Sequence, residues 1–231
     1  PPEPTESTTL LEGLPESADR QRYESAGWQT REFTLETAAA ARLIERGVPF
    51  LITLVEGGYS QQRLVTGVDT ARETIFLADG PERRVTEAPI TVLVERYRAF
   101  GPRCLAVVPP GQTARLEHLV LPETKIYDQF HAVQTALSAF RFAEAAEQLE
   151  RLKNEWPHHR ITKQAQLAWA RATAHPVKLV QAYAELLLDY PNDATLILGH
   201  AAALRDLGRN DERQSVLAAQ AWKRDADPLI A

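Results

Sequence analysis

Nucleophilic, acid–base and metal chemistry draw on a small set of side chains, and the 231-residue chain holds few of them in useful company. Its one cysteine, Cys104, opens the apolar run CLAVV, which Pro109 and Pro110 stop because they lack the amide hydrogens a β-ladder requires. A thiol on such a strand reads as buried and inert. The six histidines are His118, His131, His158, His159, His175 and His200. Most fall on segments that read as helices, and the adjacent His158 and His159 follow a proline and point in different directions, which does not suit chelation. No H-x-x-x-H, C-x-x-C, phosphate-loop or G-x-S-x-G pattern occurs. Acids such as Glu144 and Glu147 have the spacing of solvated helix residues. The residues lead to an expectation of no metal and no cofactor.

The elements that would position these groups change character partway along the chain. Residues 1–18 mix Pro, Ser, Thr and Glu and read as a mobile lead-in. LETAAAARLIERG, residues 35–47, reads as a helix ending at Gly47. Strand signals follow at Phe50–Val55, Arg63–Val68 and Thr74–Ala78, with turns at Gly57–Gly58 and Asp69–Arg72. Residues 90–100 have helical spacing through Val92, Leu93, Tyr97 and Phe100, and Cys104–Val108 forms a last strand. The predicted order is helix, three strands, helix, strand. From Lys125 onward Ala, Leu, Glu, Gln and Arg dominate, and only helices fit. The fold class expected is α+β: a small antiparallel sheet with helices, then an all-α array.

Composition bounds the function. Hydrophobic content of 44% and charged content of 25% are globular values, so a packed core is within reach. A net charge of -5 with interspersed signs offers no basic stripe for phosphates, which excludes nucleic acid as an expected partner. A lone cysteine excludes an internally cross-linked secreted scaffold and favours a reducing compartment. No apolar run approaches the roughly 18–20 residues of a membrane helix, so a cytoplasmic protein is expected. The chain opens on Pro1 and contains no methionine, which leads to the expectation of a fragment or processed form.

The helical half carries a period. Trp156–Pro157 and Tyr190–Pro191 are aromatic–Pro pairs 34 residues apart, the repeat length of tetratricopeptide (TPR) hairpins. With Pro157 closing the first unit, Ala136 and Ala145 fall where helices cross closely, and Phe142, Leu149 and Leu152 fill the space between them. In the second unit Leu167, Ala170, Tyr183 and Leu186 take corresponding roles. LRDLGRNDER in the third resembles the turn between two TPR helices, with Gly208 ending the first. The three units resemble the TPR family over about residues 125–225. That resemblance implies a groove lined by Phe130, Gln134 and Leu137, then Gln164, Ala168 and Arg171, then Leu198, Ala202 and Arg205. The Lys and Asn clamp with which chaperone-type members hold a terminal carboxylate is missing from these positions.

The first half carries a second resemblance. LIERGVPFLI, a helix feeding a strand, and LVTGVD followed by IFLADG, a hairpin, are its carrying phrases. The stretch from GWQTREFT to LADG resembles the C-terminal half of papain-like cysteine peptidases that cut double-glycine leaders, and more closely peptidase-like domains fused to TPR arrays in bacterial proteins. The resemblance implies a histidine at the start of the first hairpin strand, an aspartate at the end of the second and a cysteine well before Trp28. Gln61 stands at the histidine position and Asp79 at the carboxylate position. Glutamine cannot take up and release a proton near neutral pH, and no cysteine precedes Trp28. A nucleophile, a base and an orienting acid are all needed, so the resemblance implies a degenerate relative in which Asp79 is a turn former.

The expectation that follows has a lead-in over 1–18, a peptidase-like α+β domain over 19–121 and about three TPR-like units over 122–231. Its function is that of a non-catalytic interaction or scaffolding protein with a protein or peptide partner. Two alternatives stand beside it. One is the C-terminal portion of a cysteine peptidase whose nucleophile lies upstream; the other is a pseudopeptidase that binds a leader peptide at Gln61 and Asp79 without cutting it.

Overall fold

The computed structural model describes residues 6–7, 18–56, 58–79 and 84–221. Apart from Glu6, Ser7 and Ala18, the expected lead-in lies outside the described residues. The chain divides into two compact units, with the main division after Asp128, rather than at the expected boundary after residue 121.

The first unit is an antiparallel sheet with helices. Its strands are β2 (Gln29–Thr34), β3 (Phe50–Glu56), β4 (Tyr59–Asp69), β5 (Thr74–Asp79), β6 (Arg84–Pro89) and β7 (Arg103–Val108), in spatial order β2-β7-β3-β4-β5-β6. A two-residue strand, β1 (Glu6–Ser7), pairs with β4. The helices are α1 (Ala18–Ser25), α2 (Thr37–Glu45) and α3 (Ile90–Arg96). The α+β expectation holds, and every predicted strand and helix of this half is present.

Period-two alternation explains how the sheet packs on both faces. Phe50, Ile52, Cys104, Ala106 and Val108 join Phe33, Leu43, Val65 and Ile75 in the main core. Leu51, Leu105 and Val107 point the other way and pack with Tyr23. All six residues of β7 are buried, as a central strand covered on both faces requires. Gly47, with φ +67, closes α2: its N–H bonds to Ile44 O and that of Val48 to Leu43 O, a Schellman cap.

The predicted order omits β1, which falls within the expected lead-in, and α1, β2 and β6, and the last three omissions have physical causes. α1, ADRQRYES, has no apolar stripe. β2, QTREFT, has one apolar residue, Phe33, and buries a glutamate beside it, and β6, RVTEAP, is an edge strand exposed along nearly its whole length. The helix expected over 90–100 ends at Arg96 and continues as turns.

The helices of the second half are α4 (Thr124–Ser138), α5 (Phe142–Glu155), α6 (Arg160–Ala172), α7 (Pro176–Asp189), α8 (Ala194–Asp206) and α9 (Asn210–Ala221). The division between units falls inside α4. From α5 to α9 each helix packs against the next, the arrangement of a stack of antiparallel hairpins. The second helices begin at Phe142, Pro176 and Asn210, successive intervals of 34 residues.

The turns repeat with the same interval. Phe140, Ala174 and Gly208 all adopt the left-handed conformation, with φ of 57, 51 and 72. The next residues, Arg141, His175 and Arg209, donate their N–H groups to Ala136 O, Ala170 O and Leu204 O. One Schellman cap therefore closes the first helix of all three hairpins. Between hairpins, Trp156 and Tyr190 take matching backbone angles, and the side chains of His159 and Asp193 cap the helices that follow.

Candidate functional site

The positions that the peptidase resemblance marks out lie on the neighbouring strands β4 and β5. Gln61 is exposed on β4 and its backbone pairs with Glu6, while Asp79 ends β5 opposite Arg84. The Gln61 Oε1 accepts from Arg63 Nη2 at 3.2 Å; the Asp79 side chain lies outside the described residues. Cys104 is fully buried on β7 between register partners Phe33 and Ile52. Burial pushes its thiol well above the ordinary value, so the thiolate that a nucleophile needs is disfavoured.

The densest cluster of buried charge lies elsewhere in the first unit. Glu32 on β2 accepts from Arg20 Nη1 at 3.2 Å and from Arg103 Nε at 2.6 Å. Arg20 also reaches Glu24 and Asp128, each at 2.8 Å. Arg103 stands over the Tyr127 ring at 5.5 Å. Glu24, Glu32 and Asp128 each meet a guanidinium, so the network ties α1 and the start of α4 to β2 and β7.

The expected TPR groove residues separate into two sets. Phe130, Gln134 and Gln164 are buried, as is Leu137. Phe130 shares its helix face with Ile126, Tyr127 and Val133, and Gln164 lies among Ile161, Ala165 and Leu167, so helical spacing turns these residues inward. They line no open surface. Arg171 is half-buried and donates to the Tyr183 hydroxyl at 2.6 Å; Arg205 is exposed and pairs with Asp206 at 2.9 Å. Leu198, Ala168 and Ala202 are partly exposed.

A depression of about 310 Å³ lies instead on α5, α6 and α7. Leu149, Ala170 and Ala182 are its buried floor, and Trp169 contributes an indole. The rim carries Glu150 and Lys153 on α5, and Lys178 and Glu185 on α7. Lys178 Nζ sits 4.7 Å from the Trp169 ring centroid, and His175 stacks on the same indole at 5.5 Å. Such a surface, small and apolar at the bottom with charge at the edge, can seat side chains of another polypeptide. Sequence reading missed it because Trp169 lies between the core residues Leu167 and Ala170 and off their stripe. A tryptophan at that phase of an otherwise alanine-rich helix was the available signal.

Among the described residues no group of three or more His, Cys, Asp or Glu is placed to hold a metal ion, and no helix is long and apolar enough to cross a membrane. Comparison with protein-family models and with curated proteins yields no match in either case.

Proposed function

We propose that this chain is a non-catalytic protein-interaction protein, in which a degenerate peptidase-like α+β part precedes three TPR-type hairpins that present a surface to a protein partner. The observation that carries this reading is the one Schellman turn recurring at Phe140, Ala174 and Gly208 with a 34-residue interval. Hairpins stacked in this way form grooves between helices, and the α5–α6–α7 depression is one of them. Gln61 at the base position and the buried Cys104 support the non-catalytic part. A lone, buried thiol suits a reducing compartment, and we place the protein in the cytoplasm.

The test is to incubate the protein with double-glycine leader peptides and, separately, with a thiol-directed activity probe. The expected result is no cleavage and no labelling of Cys104 until the protein is unfolded. Cleavage that disappears in Cys104→Ser would overturn the reading.

A further inference from the structure

The groove on α5, α6 and α7 has a direction, set by which of its charges are already paired. Glu150 and Lys153 satisfy each other at 2.8 Å. Lys163 is held by Asp189 and also donates to the main-chain carbonyl of Glu185, so it leaves the Glu185 carboxylate alone. Lys178 and Glu185 therefore remain exposed with no ion-pair partner among the described residues. They lie seven residues apart on α7, two helical turns or about 10 Å.

A second observation singles out the Lys178 end. The Lys178 ammonium rests against the Trp169 indole, 4.7 Å from the ring centroid, with its side chain exposed. Lys178 also lies in the first turn of α7 (Pro176–Asp189), where the helix dipole favours an anion, while Glu185 lies toward the opposite end.

We infer that the groove seats an amphipathic helix of a partner protein, with an acidic side chain at the Trp169–Lys178 end and a basic one two turns away opposite Glu185. The acid's charge meets the exposed Lys178 ammonium. This deepens the protein-binding reading above and rests on it. A helix is the fitting occupant because it satisfies its own backbone. An extended strand would bring a row of unpaired N–H and C=O groups over a floor of Leu149, Ala170 and Ala182, where the lining offers amide side chains only on Gln166 and Gln181. Alanines on the floor also let a helix approach closely, ridge into groove.

The experiment titrates the full chain into fluorescein-labelled, lactam-constrained helical peptides of roughly 15 residues, long enough to cover the groove. One carries Leu and Ala along a stripe with Glu two turns before Lys; its isomer exchanges the two charges. Anisotropy should show one isomer bound about tenfold more tightly than the other, the scale of two exposed charge pairs acting together. In the double variant Lys178→Glu with Glu185→Lys, both sites being exposed, the preference should invert. The ¹⁵N-indole proton signal that Trp169→Phe removes should shift with the preferred isomer alone.

Equal binding of the isomers, a preference that survives the charge exchange, or no binding up to about millimolar peptide would overturn the inference. Self-association that the charge exchange abolishes would assign the groove to a second copy and overturn the partner helix. None of these results touches the non-catalytic reading, which fails only on Cys104-dependent cleavage.

Discussion

Gly199→Ala tests the packing of the helical unit by the sign of its effect. Gly199 lies inside α8, where helix propensity alone favours alanine by about 0.5–1 kcal/mol. A methyl built there comes within 2.5 Å of the Cε1, Cζ and hydroxyl oxygen of Tyr183 on α7. Carbon atoms rest at about 3.5 Å or beyond, so the ring would have to retreat by about 1 Å. Tyr183 is 5% exposed and its hydroxyl accepts from Arg171 at 2.6 Å, which leaves it little room to do so. Overpacking of this kind costs about 1–3 kcal/mol. The net expectation is a loss of about 0.5–2 kcal/mol, read by urea unfolding, with Tm lower by about 2–4 °C per kcal/mol in a chain of this size. In a Tyr183→Leu background, where the clashing ring is gone, Gly199→Ala should become stabilising. If it stabilises the parent by as much as it does that background, the close approach of α7 and α8 is not what places glycine at this position.

Three further outcomes are expected. Phe140→Gly should stabilise by about 0.5–1 kcal/mol in thermal or urea unfolding, because a 79%-exposed phenylalanine at φ 57 carries left-handed strain that glycine lacks; a loss would mean that its edge contact with Phe142 outweighs the strain. Glu32→Gln should cost about 3–5 kcal/mol in the same assay, since it leaves the buried Arg20 and Arg103 without their shared counter-charge; a change near zero would show the network to be solvated. For His200, burial first and Arg209 second lower the pKa below the ordinary value. Between that lowered value and about 6.5 the unfolded chain binds more protons than the folded one. Stability should therefore fall as pH drops below about 6.5, and His200→Gln should flatten that part of the profile; an unchanged slope would assign the pH dependence to other groups.

Elements whose stabilising pattern is local were legible before the fold was known. The apolar and β-branched runs at β3, β5 and β7, the Gly47 helix stop and the aromatic–Pro period all announce themselves within a few residues or at a fixed interval. α1, β2 and β6 do not. The buried charge of Glu32 reads as a solvent-facing residue until Arg20 and Arg103 arrive from α1 and β7, and an exposed edge such as β6 is held mainly by its ladder to β5. The candidate site was less legible than the fold. Helical spacing indicated that α4 and α6 would each bury a face, yet Phe130, Gln134 and Gln164 were assigned to the open side and lie on the closed one.

The order of residues by itself determined the types of the locally patterned elements, the two-part α+β organisation and the 34-residue interval, because backbone periodicity and cap chemistry act between near neighbours along the chain. It also determined that glutamine occupies position 61. Tertiary structure decided which surfaces remain open and which charges remain unpaired. Trp169, Lys178 and Glu185 become one groove only when α5, α6 and α7 pack together, and exposure and pairing depend on atoms brought close by folding from distant parts of the chain.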